Sequence, residues 1–299
     1  MLKIGPGTLG TAILSGIMSS LSETTSEDLP SRIPTRFITC NTREASAKRI
    51  SDALAPLTSS LEVRLNENLR SVQDADVVLL GCKPYLMKEI LTEDGISQAL
   101  ENKLLISILA GVPASQIEEV LYGKASVDEN NVRCRVVRVM PNTAAVIRES
   151  MTMIEKPSPP LPSEENDLLT WMFSRIGRVV QLPAQQMDAC TALCGSTPAF
   201  YALMLEAMAD GGVAMGVPRA EAQFIVAQTM RGCASMVLNG EHPARMREKI
   251  CTPGGCTIGG LLVLEEAGVR GTVARSVREA TVVASQLGQG VSNVNGTRH

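Results

Sequence analysis

Three observations predict an α/β domain built on a parallel sheet, followed by an all-helical domain. Short, continuous apolar runs alternate with helical stretches through the first half of the 299 residues. Strand signals stop after Pro183. Beyond that point long stretches of helical periodicity take over. Strands apolar on both faces and separated by helices belong to a parallel sheet covered on each side.

The elements follow in order. Residues 2–4 predict a first strand and residues 8–19 a helix. Residues 20–36 are polar, contain Pro30 and Pro34, and predict an exposed loop. Further strands are expected at residues 37–40, 77–80, 104–109 and 135–140, with helices at 43–53 and 115–121 between them. Pro157, Pro159, Pro160 and Pro162 make residues 155–166 a second loop. A helical stretch carrying Leu168, Leu169, Met172 and Phe173 follows, and residues 179–182 predict one more strand closing the first domain. The domains are therefore expected at 1–182 and 183–299.

In the second domain Phe200, Leu203, Met204, Ala207 and Met208 fall at helical spacing over residues 200–211. Thr197 and Pro198 stand where an N-cap and a first helical residue belong. Pro218 opens the next helix, which runs to about Leu238 and ends near Gly240. Its apolar residues Phe224, Ile225, Val226, Met230, Met236 and Val237 cover much of its circumference. A helix apolar on most faces is buried, and in so small a domain the expected cover is a partner subunit.

Composition narrows the function. Hydrophobic residues at 44% and charged residues at 20% describe an ordinary soluble domain pair. A net charge of -3 without any basic run argues against nucleic acid, and 3% aromatic content leaves no stacking platform for single strands. No stretch has the length of an apolar membrane span. The first strand starts at once, so no secretory signal is expected; the eight cysteines are read as reduced and the protein as cytoplasmic. With only His242 and His299, and no C-x-x-C pair, no metal site is expected.

Gly5-Pro6-Gly7-Thr8-Leu9-Gly10 follows the first strand and opens the first helix. This G-x-G-x-x-G arrangement supplies a tight turn, a close backbone approach to a pyrophosphate, and close helix–strand packing. The free amides and positive end of the helix face the phosphates. The alternating context makes the domain Rossmann-like, and Gly5, Gly7, Thr8, Leu9 and Gly10 are assigned to a dinucleotide. An NAD enzyme usually ends its second strand in a carboxylate for the ribose. Here the chain reads Cys40-Asn41-Thr42-Arg43, with no carboxylate before Glu44. Arg43 suits a phosphate, Asn41 and Thr42 add polar groups, and NADPH is expected ahead of NADH. The alternative for Arg43 is a solvated residue at a helix start.

Two more segments end strands on the ligand side of such a sheet. Lys83 and Pro84 follow the strand at 77–80; Lys83 is a candidate for the phosphates or ribose, and equally a solvated side chain. Asn142 follows the strand at 135–140 and is a candidate for the nicotinamide end. The densest motif of the second half is Thr252-Pro253-Gly254-Gly255-Cys256-Thr257-Ile258-Gly259-Gly260, read as an irregular loop ahead of a helix at 261–267. Its open amides, the following helix dipole and two threonine hydroxyls suit a small anion such as a substrate carboxylate. The plainer reading is a tight helix–helix connection. Glu206 and Asp210, one turn apart, are taken as a polar helix face. His242 is read as a surface residue and Cys251 and Cys256 as packing residues.

These motifs resemble the pyrroline-5-carboxylate reductase family over nearly the whole chain. The resemblance rests on the glycine turn, on Val139-Met140-Pro141-Asn142-Thr143, and on Gly195-Ser196-Thr197-Pro198-Ala199-Phe200-Tyr201. It continues through Glu206-Ala207-Met208-Ala209-Asp210-Gly211-Gly212-Val213 and Ala227-Gln228-Thr229 to the loop at 252–260. It implies a Rossmann domain and a helical domain through which two subunits interlock, with frequent assembly into decamers. It implies reduction of L-1-pyrroline-5-carboxylate to L-proline by NAD(P)H, the last step of proline biosynthesis. By motif position Thr257 resembles the threonine near the imine nitrogen, and Thr252, Gly254, Gly255 and Cys256 the carboxylate loop. Asn68 resembles the asparagine that touches the adenosine ribose.

Thr197 stands where glycine is usual, Ala144 where proline is usual, and Cys256 in place of threonine or alanine. A related cyclic imine therefore stays open as substrate. A protonated imine is already electrophilic, so positioning, with Thr257 bonded to the nitrogen, is the expected mechanism. Competing readings are a β-hydroxyacid dehydrogenase, for which Lys249 is the one lysine of the second domain, and a non-enzymatic NADPH-sensing scaffold.

Overall fold

The computed structural model describes residues 1–5, 7–23, 29–57, 60–123, 133–288 and 291. Pro6, residues 24–28 of the expected loop and His299 lie outside them. The strands are β1 (Leu2–Ile4), β2 (Phe37–Asn41), β3 (Leu61–Leu65), β4 (Val77–Leu80), β5 (Leu104–Ser107), β6 (Arg135–Met140), β7 (Ser150–Glu155) and β8 (Gly177–Leu182). They form one sheet in the order β3-β2-β1-β4-β5-β6-β7-β8. Neighbours are parallel except β6 and β7, which are antiparallel. The order reverses between β1 and β4, where Ile4 lies beside Cys40 on one side and Leu80 on the other.

The first helices are α1 (Thr8–Glu23), α2 (Glu44–Leu54), α3 (Asn68–Gln73), α4 (Met87–Leu91), α5 (Ile96–Ala99), α6 (Ala114–Tyr122) and α7 (Ser163–Ser174). They cover both faces of the sheet. One apolar cluster joins Ile13, Leu14 and Ile17 of α1 and Phe173 of α7 to Leu79, Ile106 and Val137. The other joins Val72, Met87, Ile96 and Ile117 to Leu2, Val78 and Leu105. Successive strand residues thus feed opposite cores, which is why these strands read as unbroken apolar runs.

Two strands were not expected. β3 reads Leu-Glu-Val-Arg-Leu, an alternating edge strand rather than a doubly buried one. Its Arg64 is buried and bonds Glu62 and Asp74, both at 2.6 Å, an inward charge of the kind that protects an edge from foreign strands. β7 hides its strand character behind Ser150 and Thr152, which are buried and bonded to each other at 3.3 Å. The loop expected from residue 20 also starts later, because α1 runs on to Glu23.

The chain continues through α8 (Met187–Thr191), α9 (Thr197–Ala214), α10 (Arg219–Leu238), α11 (Pro243–Ile250), α12 (Cys256–Glu266) and α13 (Val269–Gly288). Thr197 and Pro198 do not begin an isolated helix. A π-helical turn, Ala192–Ser196, joins α8 directly to α9. Pro198 has no amide to donate to the carbonyl of Cys194 four residues back, and the widened turn absorbs the defect. α12 likewise starts earlier than expected, so Cys256, Thr257, Gly259 and Gly260 are helical; a glycine costs a helix only about 1 kcal/mol.

By contacts the chain divides into Met1–Gly195 with the chain from Thr281, and Ser196–Ala280. The division falls later than the composition change at Pro183 because Met187 and Cys194 pack on Met140 and Met153 of the sheet. Within the second unit α9 and α10 touch at Gly212 and Ala222, yet few side chains are buried. Leu203, Phe224 and Val263 are 67%, 73% and 63% exposed. A helical unit with so much uncovered apolar surface lacks a core of its own in the single chain. Among the described residues no helix is long and apolar enough to cross a membrane.

Candidate active site

The glycine turn lies at the β1/β4 reversal, where the carboxyl ends of the strands open a crevice. Gly5 has φ +105, and a Cβ there would stand 2.6 Å from the Cys82 amide nitrogen and 2.8 Å from the Gly81 carbonyl carbon. Only glycine fits. Its amide donates to the Cys40 carbonyl at 3.2 Å, and the Gly81 amide donates to that of Ile4 at 2.8 Å. The turns after β1, β2 and β4 are thereby locked together. The Gly7 carbonyl accepts the Thr11 amide at 3.2 Å and begins α1. The first-turn amides of Thr8, Leu9 and Gly10 then have no intrahelical acceptor. Thr8 is exposed, Leu9 half-buried and Gly10 buried. Backbone with no Cβ in the way, beside the free amides of a 16-residue helix, is a cradle that fits a dinucleotide pyrophosphate.

At the end of β2, Thr42 and Arg43 are exposed. Arg43 takes the N-cap position of α2, and its carbonyl accepts the amides of Ser46 and Ala47, both at 3.0 Å. No hydrogen bond or ion pair engages its guanidinium among the described residues. Asn41 is different: it is 2% exposed, its amide nitrogen lies 3.5 Å from the Thr39 hydroxyl, and its Oδ1 has no partner among the described residues. It is buried rather than facing solvent. Asn68 opens α3 beyond β3 and donates to Glu93 at 3.2 Å. Lys83 and Pro84 are exposed after β4. The neighbouring Cys82 thiol is pushed up to about 11 by burial, so it stays protonated and unreactive.

Asn142 caps the short turn Thr143–Ile147, its Oδ1 accepting the Ala144 amide at 3.1 Å. Its Nδ2 donates to the Cys194 carbonyl at 3.3 Å, the same carbonyl that Pro198 leaves without its usual donor. Cys194 in turn donates its thiol to the Met151 carbonyl at 2.7 Å, and burial pushes that thiol up to about 11. The side chain expected at the nicotinamide end thus ties β6 to the π-turn.

In the second unit, Thr252, Pro253, Gly254 and Gly255 form a turn closed by the Gly255 amide on the Thr252 carbonyl at 3.0 Å. Proline followed by a glycine at φ +68 defines type II. A Cβ on Gly255 would stand 2.5 Å from the Thr252 hydroxyl, which would have to turn away to admit it. Gly255 is the N-cap of α12, with Cys256 and Thr257 as its first two residues, both exposed. Their free amides and the two hydroxyls form an open acceptor for an anion. Asp210 pairs with Arg219 at 2.5 Å, which accounts for it as part of a polar helix face. Lys249 pairs with Glu241 at 2.6 Å on the surface, and His242 caps α11 through the Ala244 amide. Sequence reasoning missed the contribution of Gly81, legible as a glycine directly after a strand, and that of the Cys194 carbonyl, which only the missing proline amide betrays.

A doubly wound sheet with a glycine cradle at its switch point, followed by helices that lack their own core, defines a two-domain dinucleotide-dependent oxidoreductase. Residues 4–111 match a family model described as NADP oxidoreductase, coenzyme F420-dependent, and residues 184–287 one described as pyrroline-5-carboxylate reductase dimerisation. The chain is 59% identical to a pyrroline-5-carboxylate reductase of Lophium arboricola, with 99% of this chain and 95% of that protein covered. It is 52% identical to one of Neurospora crassa, with 100% and 96% covered. A solved Streptococcus pyogenes 1-pyrroline-5-carboxylate reductase superposes with a TM-score of 0.77 at 27% identity, over 95% of this chain and 97% of that one. The chain belongs to the pyrroline-5-carboxylate reductase family.

Proposed function

We propose that this chain reduces L-1-pyrroline-5-carboxylate to L-proline with NADPH, the closing step of proline synthesis. The observation that carries the reading is the steric one at Gly5: the crevice is closed to every residue but glycine, beside a turn that offers Arg43 and no carboxylate. The relatives that share most of this sequence bear the reductase name. The bound dinucleotide supplies the hydride. The chain's own residues do the positioning. Gly5, Gly7, Thr8, Leu9 and Gly10 hold the pyrophosphate, and Thr42 and Arg43 take the ribose phosphate over the floor built on Asn41. Asn68 meets the adenosine ribose, Lys83 and Pro84 border the phosphates, and Asn142 orients the nicotinamide. Thr252, Gly254, Gly255 and Cys256 bind the substrate carboxylate, and Thr257 bonds the imine nitrogen through its hydroxyl.

Residues 1–182 are the dinucleotide domain and 183–299 the substrate and dimerisation domain. Two copies pair through the exposed apolar faces of α9, α10 and α12, with further assembly to a decamer, in the cytoplasm. The test follows the NADPH absorbance band with pyrroline-5-carboxylate and with its six-membered homologue. Consumption with the five-membered imine is expected. Binding of NADPH without consumption would make the chain a sensor. Consumption with the larger ring alone would move it to a related imine, the reading that Thr197, Ala144 and Cys256 leave open.

A further inference from the structure

The β5–α6 connection, residues 108–113, leaves the sheet at the carboxyl end of β5. It lies on the β4–β6 half, where the second nucleotide of a dinucleotide rests in such a sheet. Close contacts hold it from two directions. On one side Ile108 fills the space a Cβ on Gly81 would need, at 3.2 Å, and Gly81 fills the space a Cβ on Gly5 would need. On the other side Gly111, at φ +74, meets the last turns of α13. A Cβ on Gly111 would stand 3.0 Å from the Ala284 carbonyl oxygen and 3.1 Å from the Gly288 nitrogen. A Cβ on Gly288 would overlap the Gly111 carbonyl oxygen. Ala284 is buried. The end of α13, the β5–α6 connection, the β4 turn and Gly5 therefore form a series of three close approaches, each made at a position that lacks a Cβ.

Resting on the dinucleotide site described above, we propose that the last turns of α13, through Gly288, are a positioning element for the nicotinamide half of that site. Interiors transmit displacement because they are close-packed. A shift of the β5–α6 connection moves the floor on which the reactive ring lies most, and the phosphate and adenosine contacts least, because β1 and β2 are held by their own ladder and by the Gly5 amide on the Cys40 carbonyl.

The test is Gly288→Ala. Alanine is no worse a helix former than glycine, so the helix is kept while the docking is lost. Two readouts are taken, one of them without cofactor: hydrogen exchange of residues 108–113 in the ligand-free protein, and the steady-state constants with NADPH. Exchange is expected to quicken by about tenfold. Turnover is expected to fall by about tenfold, within what a misplacement near 1 Å costs, while the Kd for NADPH stays within about threefold of wild type. Unchanged exchange overturns the inference, and so does faster exchange with wild-type turnover. Should Gly288→Ala unfold the protein, truncation after Ser285 faces the same two readouts. An inactive wild type sinks the reductase reading instead, since the exchange comparison needs no substrate.

Discussion

Replacing Arg43 by alanine separates the cofactor's phosphate from the rest of its binding. Arg43 gives the fold only its backbone: its carbonyl accepts the amides of Ser46 and Ala47 at 3.0 Å, and alanine keeps both bonds. Among the described residues its exposed guanidinium has no ion partner to strand. The stability change is therefore expected within about 0.5 kcal/mol, the range of plain surface substitutions. A hydrogen bond to a charged group is worth about 1.5–3 kcal/mol, or roughly 10- to 150-fold in affinity. Exposure and physiological salt screen the contact, so the lower part of that range, about 10- to 30-fold, is expected for NADPH. NADH has no phosphate at that ribose, and its affinity should stay within about twofold. Titrating both dinucleotides by fluorescence against wild type and Arg43→Ala, with thermal unfolding in parallel, measures all three quantities. Equal losses for NADH and NADPH, or none for either, would refute the assignment of Arg43 to the phosphate.

Gly5→Ala forces a side chain into a positive φ, at about 1–3 kcal/mol, and against the Cys82 backbone at 2.6 Å; denaturant unfolding should show a loss of about 3 kcal/mol, and isothermal titration no NADPH binding at concentrations that saturate wild type. Thr257→Ala should lower turnover by about 10- to 100-fold, the scale of one lost positioned donor, with NADPH affinity intact in the same titration; wild-type turnover would remove Thr257 from the mechanism. The hydrogen bonds from Arg64 and Arg36 hold the Glu62 carboxyl down at about 2, against 4.5 for an unperturbed one. A depressed carboxyl stabilises the fold above its unfolded value and loses that contribution as pH falls toward the folded one. Melting temperatures between pH 4.5 and about 2 should accordingly fall more steeply for wild type than for Glu62→Gln, and parallel curves would remove the Arg36–Glu62–Arg64 pairs from the acid response.

Local chemistry was legible where it answers to local constraints. The glycine turn is one such case, because the geometry at Gly5 depends on a conformation that only glycine adopts at ease. The turn at Thr252–Gly255 is another, since proline and glycine at its centre dictate its type. The need for a partner could be read from α10, whose apolar residues fit no single buried face, and the exposure of Phe224 and Ile225 answers to it. β3 escaped notice because Glu62 and Arg64 break its apolar run, and whether a charge lies inward is a matter of what α3 brings to meet it. The π-turn escaped because Pro198 looks the same at a helix start and inside a helix; what differs is the partner offered to the Cys194 carbonyl, and that partner comes from Asn142, 52 residues away.

Sequence alone thus determined the doubly wound sheet, the glycine turn at its switch point, the proline–glycine turn at Thr252–Gly255 and the apolar surface that calls for a second chain. Each rests on periodicity or on a backbone conformation confined to a few neighbouring residues. Only the tertiary structure decided that Asn41 is buried, that Asn142 is shared with the π-turn, and that Gly288 meets Gly111. Those contacts join residues distant along the chain, and no local preference specifies which carbonyl or which absent Cβ will stand opposite.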